Sequence, residues 1–196
     1  MLCTALQCRH MPSLLPRNIT VQLALVSITL FLGCTYVLGF DAKFTAIGIV
    51  LPLIAINLYR HFKHFAIPTL VALCFSVFIT TAHYYVYDTP NIYLGHMHIF
   101  PLVMWVGGLL LSREIYLLLP VRYKLFAALI LYWIVMFSLE YIGYYWVGIR
   151  TNTGHPGFLG TEVLHGNLAV HLFYPTAGPI FIIVTELIKR HSTWIR

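Results

Sequence analysis

The stretch YKLFAALILYWIVMFSLEYIGYYWVG, residues 123–148, decides the class of this chain. It is one continuous apolar block, and between Lys124 and Arg150 its sole charged side chain is Glu140. A helix rises 1.5 Å per residue, so about 20 such residues cross a hydrocarbon layer of about 30 Å. A strand crossing lipid would alternate apolar and polar residues, and this block does not.

Five more blocks of the same kind lie along the chain, at about 20–40, 44–59, 66–87, 92–112 and 161–188, the second being the shortest. The whole chain agrees with them: 60% apolar residues, 9% charged residues and a mean hydropathy of +0.83. Water-soluble domains carry about 25% charged residues, which excludes that class. The fold expected is an all-α integral membrane protein, one polytopic domain over residues 1–196 built as a six-transmembrane-helix bundle. No internal repeat or low-complexity stretch divides it.

Basic residues set the expected threading. Arg9 and Arg17 precede the first span, Arg60 and Lys63 follow the second, Arg113, Arg122 and Lys124 follow the fourth, and Lys189, Arg190 and Arg196 follow the sixth. The other three loops hold only Lys43 and Arg150. Positive charge gathers on the cytoplasmic side, so both termini are expected there. The first span reads as a retained anchor, since its apolar run is too long for a leader and no small-residue cleavage site follows. The location expected is a bacterial inner membrane or a eukaryotic endomembrane. The high pI of about 9.2 is then matched to anionic lipid headgroups and not to nucleic acid. On this threading the sequon Asn18-Ile19-Thr20 faces the cytoplasm and is expected to stay unmodified. Cys34 and Cys74 read as small buried apolar residues within helices, and Cys3 and Cys8 as tail thiols with no disulfide framework.

The polar residues show the complementary asymmetry. His83, His96, His98, His155, His165 and His171, six of the ten histidines, fall at the outer ends of the spans with Asp88, Glu140 and Glu162. On helical spacing, Ser76, Thr80, His83 and Tyr87 share one face of the third span. His98, Pro101 and Trp105 share a face of the fourth, with His96 turned about 200° away. Trp133, Phe137, Glu140 and Tyr144 line the fifth. Glu162 and His165 open the sixth, followed by Asn167, His171 and Tyr174 on a second face.

Glu140 is the strongest single candidate. It lies roughly 12 Å from the outer end of its helix, where an uncompensated carboxylate costs about 2.5 kcal/mol or more. Either it ties helices together by a hydrogen bond or it acts in a site. Glu162-x-x-His165 has the spacing of carboxylate-bridged metal centres in bundles, but those need the motif twice, so a di-iron centre is under-supplied. A mononuclear site needs three or four ligands, which His83, His98, His165 and His171 would provide for a divalent metal such as zinc or iron. The inner halves of the third to sixth spans read as apolar, and His61 and His64 as silent.

Two further signals accompany the cluster. Tyr174-Pro175-Thr176-Ala177-Gly178-Pro179 puts two prolines and a glycine in the last span, which kinks it and frees backbone carbonyls. The loop from Arg150 to Gly160 is either a connector or a lid over the site. Signatures of membrane desaturases, rhomboid proteases, prenyl-transferring enzymes, bis-histidine haem bundles and retinal proteins are missing.

The reading that follows is a membrane-embedded enzyme acting on a lipid or isoprenoid-like hydrophobic substrate. Glu140, Glu162 and His165 would be its acid–base residues. Tyr87, Trp105, Tyr144, Asn167 and Tyr174 would contact the substrate, with membrane lipids as the surroundings. The alternatives are a non-catalytic, possibly cofactor-holding subunit bound to another membrane protein, and a small transporter with an outer polar vestibule and the last helix as its gate.

Overall fold

In hydrocarbon every backbone N–H and C=O needs a partner within the protein, and a helix provides these within one segment. The structure, a computed structural model, describes residues 25–81, 87, 92–120, 122–150, 154–161 and 163–193 (backbone alone at 192 and 193), and the greater part of each apolar block among them is helical. Helix α1 is Leu25–Val37, α2 Ala42–Arg60, α3 Phe62–Thr81, α4 Ile99–Leu118, α5 Lys124–Val147 and α6 Leu168–Thr193. The last turns of α1 and α5 widen to π geometry at Gly33–Val37 and Gly143–Val147. Helices α2 to α6 are each long and apolar enough to cross a membrane. The described part of α1 is shorter, and the expected start of that span lies outside the described residues.

Helix α4 is the hub, packing on α2, α3, α5 and α6, while α3 also meets α2 and α6, and α6 meets α5. Gly107 lets α4 approach α2, since a Cβ there would sit 2.6 Å from Val50 Cγ1. The core between α3, α4, α5 and α6 is formed by Phe65, Ala72, Val106, Leu109, Leu110, Ala128, Phe181 and Ile182. Outside it the surface stays apolar. Ala128 alone is buried along Lys124–Ile142, while Phe126, Ile130, Ile134 and Leu139 are exposed. A contiguous apolar surface of that extent suits lipid and not water. Cys74, expected to be buried, is exposed on this surface.

Two span boundaries differ from expectation. The fourth span was expected from residue 92, but α4 begins at Ile99. Residues before it fold into a hairpin, β1 (Tyr93–Leu94) antiparallel to β2 (Met97–His98), with Leu94 opposite Met97 and Gly95 turning at φ +62. Apolar composition continues through the hairpin, so it cannot mark the boundary. The two-residue turn led by Gly95 marks it. Pro101 then sits in the first turn of α4, where its missing N–H costs nothing.

The sixth span was expected from residue 161, but α6 begins at Leu168. Leu164 at φ +58 cannot continue a helix, and Asn167 Oδ1 accepts from the Val170 amide at 3.1 Å as the N-cap. Gly157 closes the loop tightly, because a side chain there would overlap the Thr161 carbonyl. The chain from Gly154 to Asn167 is therefore a folded cap on the end of the bundle, with Val163 and Leu164 buried.

Candidate functional site

The prolines of the helices explain where polar side chains are recruited. Pro179 has no N–H to offer the carbonyl four residues back, that of Pro175. Trp133 Nε1 on α5 donates to that carbonyl instead, at 2.8 Å. The neighbouring Tyr132 hydroxyl donates to the Tyr174 carbonyl at 2.8 Å, and its ring packs where a Cβ on Gly178 would lie 2.6 Å away. Residues Tyr132 and Trp133 thus staple α5 to the double-proline segment of α6.

That staple brings Glu140 beside α6. The Tyr174 hydroxyl faces the Glu140 carboxyl group, so an acid of α5 and a phenol of α6 lie side by side. Tyr174 is buried at 7% exposure and lies in a cluster with Ile79, Leu164 and Val170, joined by Tyr87, Trp105, Phe137 and Phe158. Trp105 meets the Tyr174 ring edge-on at 4.8 Å between centroids. Glu140, Tyr87, Trp105 and Tyr174, picked out in the sequence from four different segments, therefore converge.

The cap forms the wall above them. Phe158 packs on Phe137 at 5.2 Å and on His171 at 5.5 Å, and Leu164 reaches into the aromatic cluster. His165 stacks on Tyr144 at 5.8 Å with the rings 15° from parallel, and the Arg150 guanidinium lies 5.3 Å from the same Tyr144 ring. Tyr144 thus stands at the rim. The Asn167 side-chain oxygen is the α6 cap.

The described members of the expected histidine quartet, His98, His165 and His171, each have separate neighbours. His98 lies on the hairpin, 4.5 Å from the Tyr93 ring and 5.8 Å from the Tyr87 ring. The His171 Nε2 edge meets the Leu164 carbonyl at 3.1 Å. His165 lies in the cap, ahead of the start of α6 at Leu168, and not on a helical face. Among the described residues no three His, Cys, Asp or Glu side chains gather to hold a metal. His83 and Glu162 lie outside the described residues, as does Asp88.

One buried lysine was read only as a loop residue. Lys43 begins α2 at 2% exposure, behind the Asp41 N-cap whose Oδ1 accepts from the Lys43 amide at 2.9 Å. Its ammonium lies 5.3 Å from the centre of the Tyr87 ring. A cation over that ring face adds an electrostatic contact to the aromatic cluster.

The opposite end of the bundle corrects the expectation of apolar inner halves. Arg113 is buried at 2% exposure, with Nε and Nη2 donating to Glu186 Oε1 at 3.1 and 3.0 Å. Its Nη1 donates to Glu114 Oε1 at 2.9 Å. His64 Nε2 lies 2.8 Å from the same carboxylate oxygen and 3.2 Å from Arg113 Nη1. A nitrogen facing an arginine donor and a carboxylate at once satisfies the carboxylate only by carrying the proton, so Nε2–H donates to Glu114. Lys189 Nζ donates to the His64 carbonyl at 3.1 Å, the carbonyl that Pro68 leaves without an amide. These groups knit α3, α4 and α6 together, and His64 is not silent. The misplaced start of the fourth span hid them, since it assigned Arg113 and Glu114 to a loop.

No protein-family model matches the chain, and no curated protein or solved structure is similar enough to lend it a function.

Proposed function

We propose that this chain is a multi-pass membrane protein, both termini cytoplasmic, that acts as an acid–base enzyme on a lipid or isoprenoid-like hydrophobic substrate. The observation that carries the reading is the Glu140–Tyr174 pair within an aromatic wall. A carboxyl group can take or give a proton at a reacting atom, and a phenol beside it can hold the charge that develops on oxygen. Trp105 and Tyr87 offer ring surfaces to an apolar substrate, while Tyr144, His165 and Arg150 offer polar edges at the rim. The folded cap from Gly154 to Asn167 would keep water out during the reaction.

The test compares lipid extracts of membranes holding the wild-type chain, Glu140→Gln or Tyr174→Phe at equal abundance, by mass spectrometry over time. A species consumed or formed by the wild type should change 10²- to 10⁴-fold more slowly with Glu140→Gln, the span expected for loss of a general acid or base. Identical profiles for all three chains would defeat the enzyme reading. They would leave a non-catalytic subunit of a membrane assembly.

The buried Arg113–Glu114–Glu186 group supports a second reading as a transporter. Its Glu186 lies on the same helix as Tyr174, beyond the proline segment, while Arg113 and Glu114 come from α4, so polar groups meet α6 towards both of its ends. Dye-reported proton movement into vesicles carrying the purified chain, abolished by Glu140→Gln, would establish that reading.

A further inference from the structure

We propose that the elbow between α2 and α3 binds the phosphate-bearing headgroup of an anionic phospholipid, a site separate from the Glu140 region and independent of the chemistry proposed there. His61 alone separates the two helices, with φ −130 and ψ 43. Its amide bonds the Asn57 carbonyl at 2.9 Å, and its carbonyl accepts from the His64 and Phe65 amides at 2.9 and 3.0 Å. So short and fully bonded an elbow holds one backbone path. Tyr59, Arg60, His61, Phe62, Lys63 and His64 surround an open cavity of about 440 Å³ there.

The charge of this cavity is one-sided. The elbow contains no acid, and among the described residues neither Arg60 nor Lys63 has an ion-pair partner. The nearest carboxylates are occupied: Glu114 by Arg113 and His64, Glu186 by Arg113. Lys189 brings a further ammonium to the His64 carbonyl. An anion with several oxygens is the complement of two exposed cations beside the His61 imidazole.

Apolar groups tell a lipid from a free anion. Tyr59 and Phe62 are 89% and 65% exposed at the rim of the cavity. The elbow ends two helices of membrane-spanning length, which sets it at headgroup depth, where aromatic rings and basic residues gather. Free phosphate would use the cations and leave these rings unused. A phospholipid uses both.

The experiment titrates the purified full chain in detergent with phosphatidylglycerol or phosphatidylcholine of matched acyl chains and counts bound lipid by native mass spectrometry. Phosphatidylglycerol should bind tighter, and Arg60→Gln/Lys63→Gln should weaken it about 30-fold, the effect of two basic residues at a bilayer surface. Arg122→Gln/Lys124→Gln, at the same end of the bundle, should leave binding as in the wild type. Each single elbow variant, at a well-exposed position, should give a partial loss should the double variant unfold. Unchanged binding in the elbow variants, or equal loss in the control, would overturn the proposal. Full displacement by millimolar inorganic phosphate would overturn the lipid as occupant.

Discussion

The Arg113 group offers the sharpest test of how this bundle is held together. Arg113→Met removes one buried cation and leaves the side chains of Glu114 and Glu186, 10% and 30% exposed, without their main partner. Breaking a buried ion pair from one side costs about 3–5 kcal/mol, because the remaining charge keeps its desolvation and loses its compensation. Two features place this case near the low end. Glu114 keeps His64 at 2.8 Å, and Glu186 is exposed enough to regain some water. A loss of about 3 kcal/mol corresponds to roughly 6–12 °C in midpoint for a chain of this size. Thermal unfolding of the purified chain in one detergent, followed by tryptophan fluorescence, measures it. The triple change Arg113→Met/Glu114→Met/Glu186→Met removes the three charges together and should cost less than the single change, since apolar residues can replace a buried ion pair and the main remaining loss is the His64 bond to Glu114. A single variant within about 1 kcal/mol of wild type would refute the reasoning. So would a triple variant as unstable as the single one.

Three further outcomes follow from named contacts. Trp133→Phe should cost about 1–3 kcal/mol by leaving the Pro175 carbonyl without a donor, and in a Pro179→Ala background, where the backbone amide returns, the same change should cost almost nothing. Gly178→Ala should destabilise by about 1–3 kcal/mol through its clash with the Tyr132 ring, and add nothing further in a Tyr132→Ala chain. His64→Ala should lower stability by about 1–3 kcal/mol through loss of a hydrogen bond to a charged group, whereas exposed His61→Ala should stay within about 0.5 kcal/mol of wild type. Each is read from the same unfolding transition.

Helix number and type were legible because long apolar blocks have one solution in lipid. The fifth span matches α5 to within a residue at each end, and the short second span lengthens to Ala42–Arg60. What failed were the boundaries at the histidine-bearing end, where a few apolar residues within each irregular segment (Ile92 and Leu94, Val163 and Leu164) extended the apparent span. Gly95 before the fourth helix, and Gly160, Gly166 and Asn167 before the sixth, were the available stop and start signals. Overlooking them set histidines on helical faces that do not exist. Glu140, Tyr174, Trp105 and Tyr87 do lie near one another in the fold, because a lone acid deep in an apolar helix needs neighbours from the facing helices. Arg113 was invisible as a buried residue, since a basic residue near a helix end ordinarily snorkels to water.

The two polar clusters share a cause that links fold to function. Each lies where a proline has taken an amide from a helix and a side chain of a neighbouring helix supplies the missing donor: Trp133 for the Pro175 carbonyl, Lys189 for that of His64. A proline break can serve as a hinge, or it can be clamped. Here the Trp133 bond and the Tyr132 ring against Gly178 clamp the α6 break from one side, and Tyr132 also donates to the Tyr174 carbonyl. Bending α6 would part Trp133 from a carbonyl that has no other backbone donor. The same clamp holds Tyr174 against Glu140. A gate needs that joint to open in every cycle, whereas an acid–base pair needs it to stay shut. The clamped kink therefore favours a fixed reaction site over alternating access.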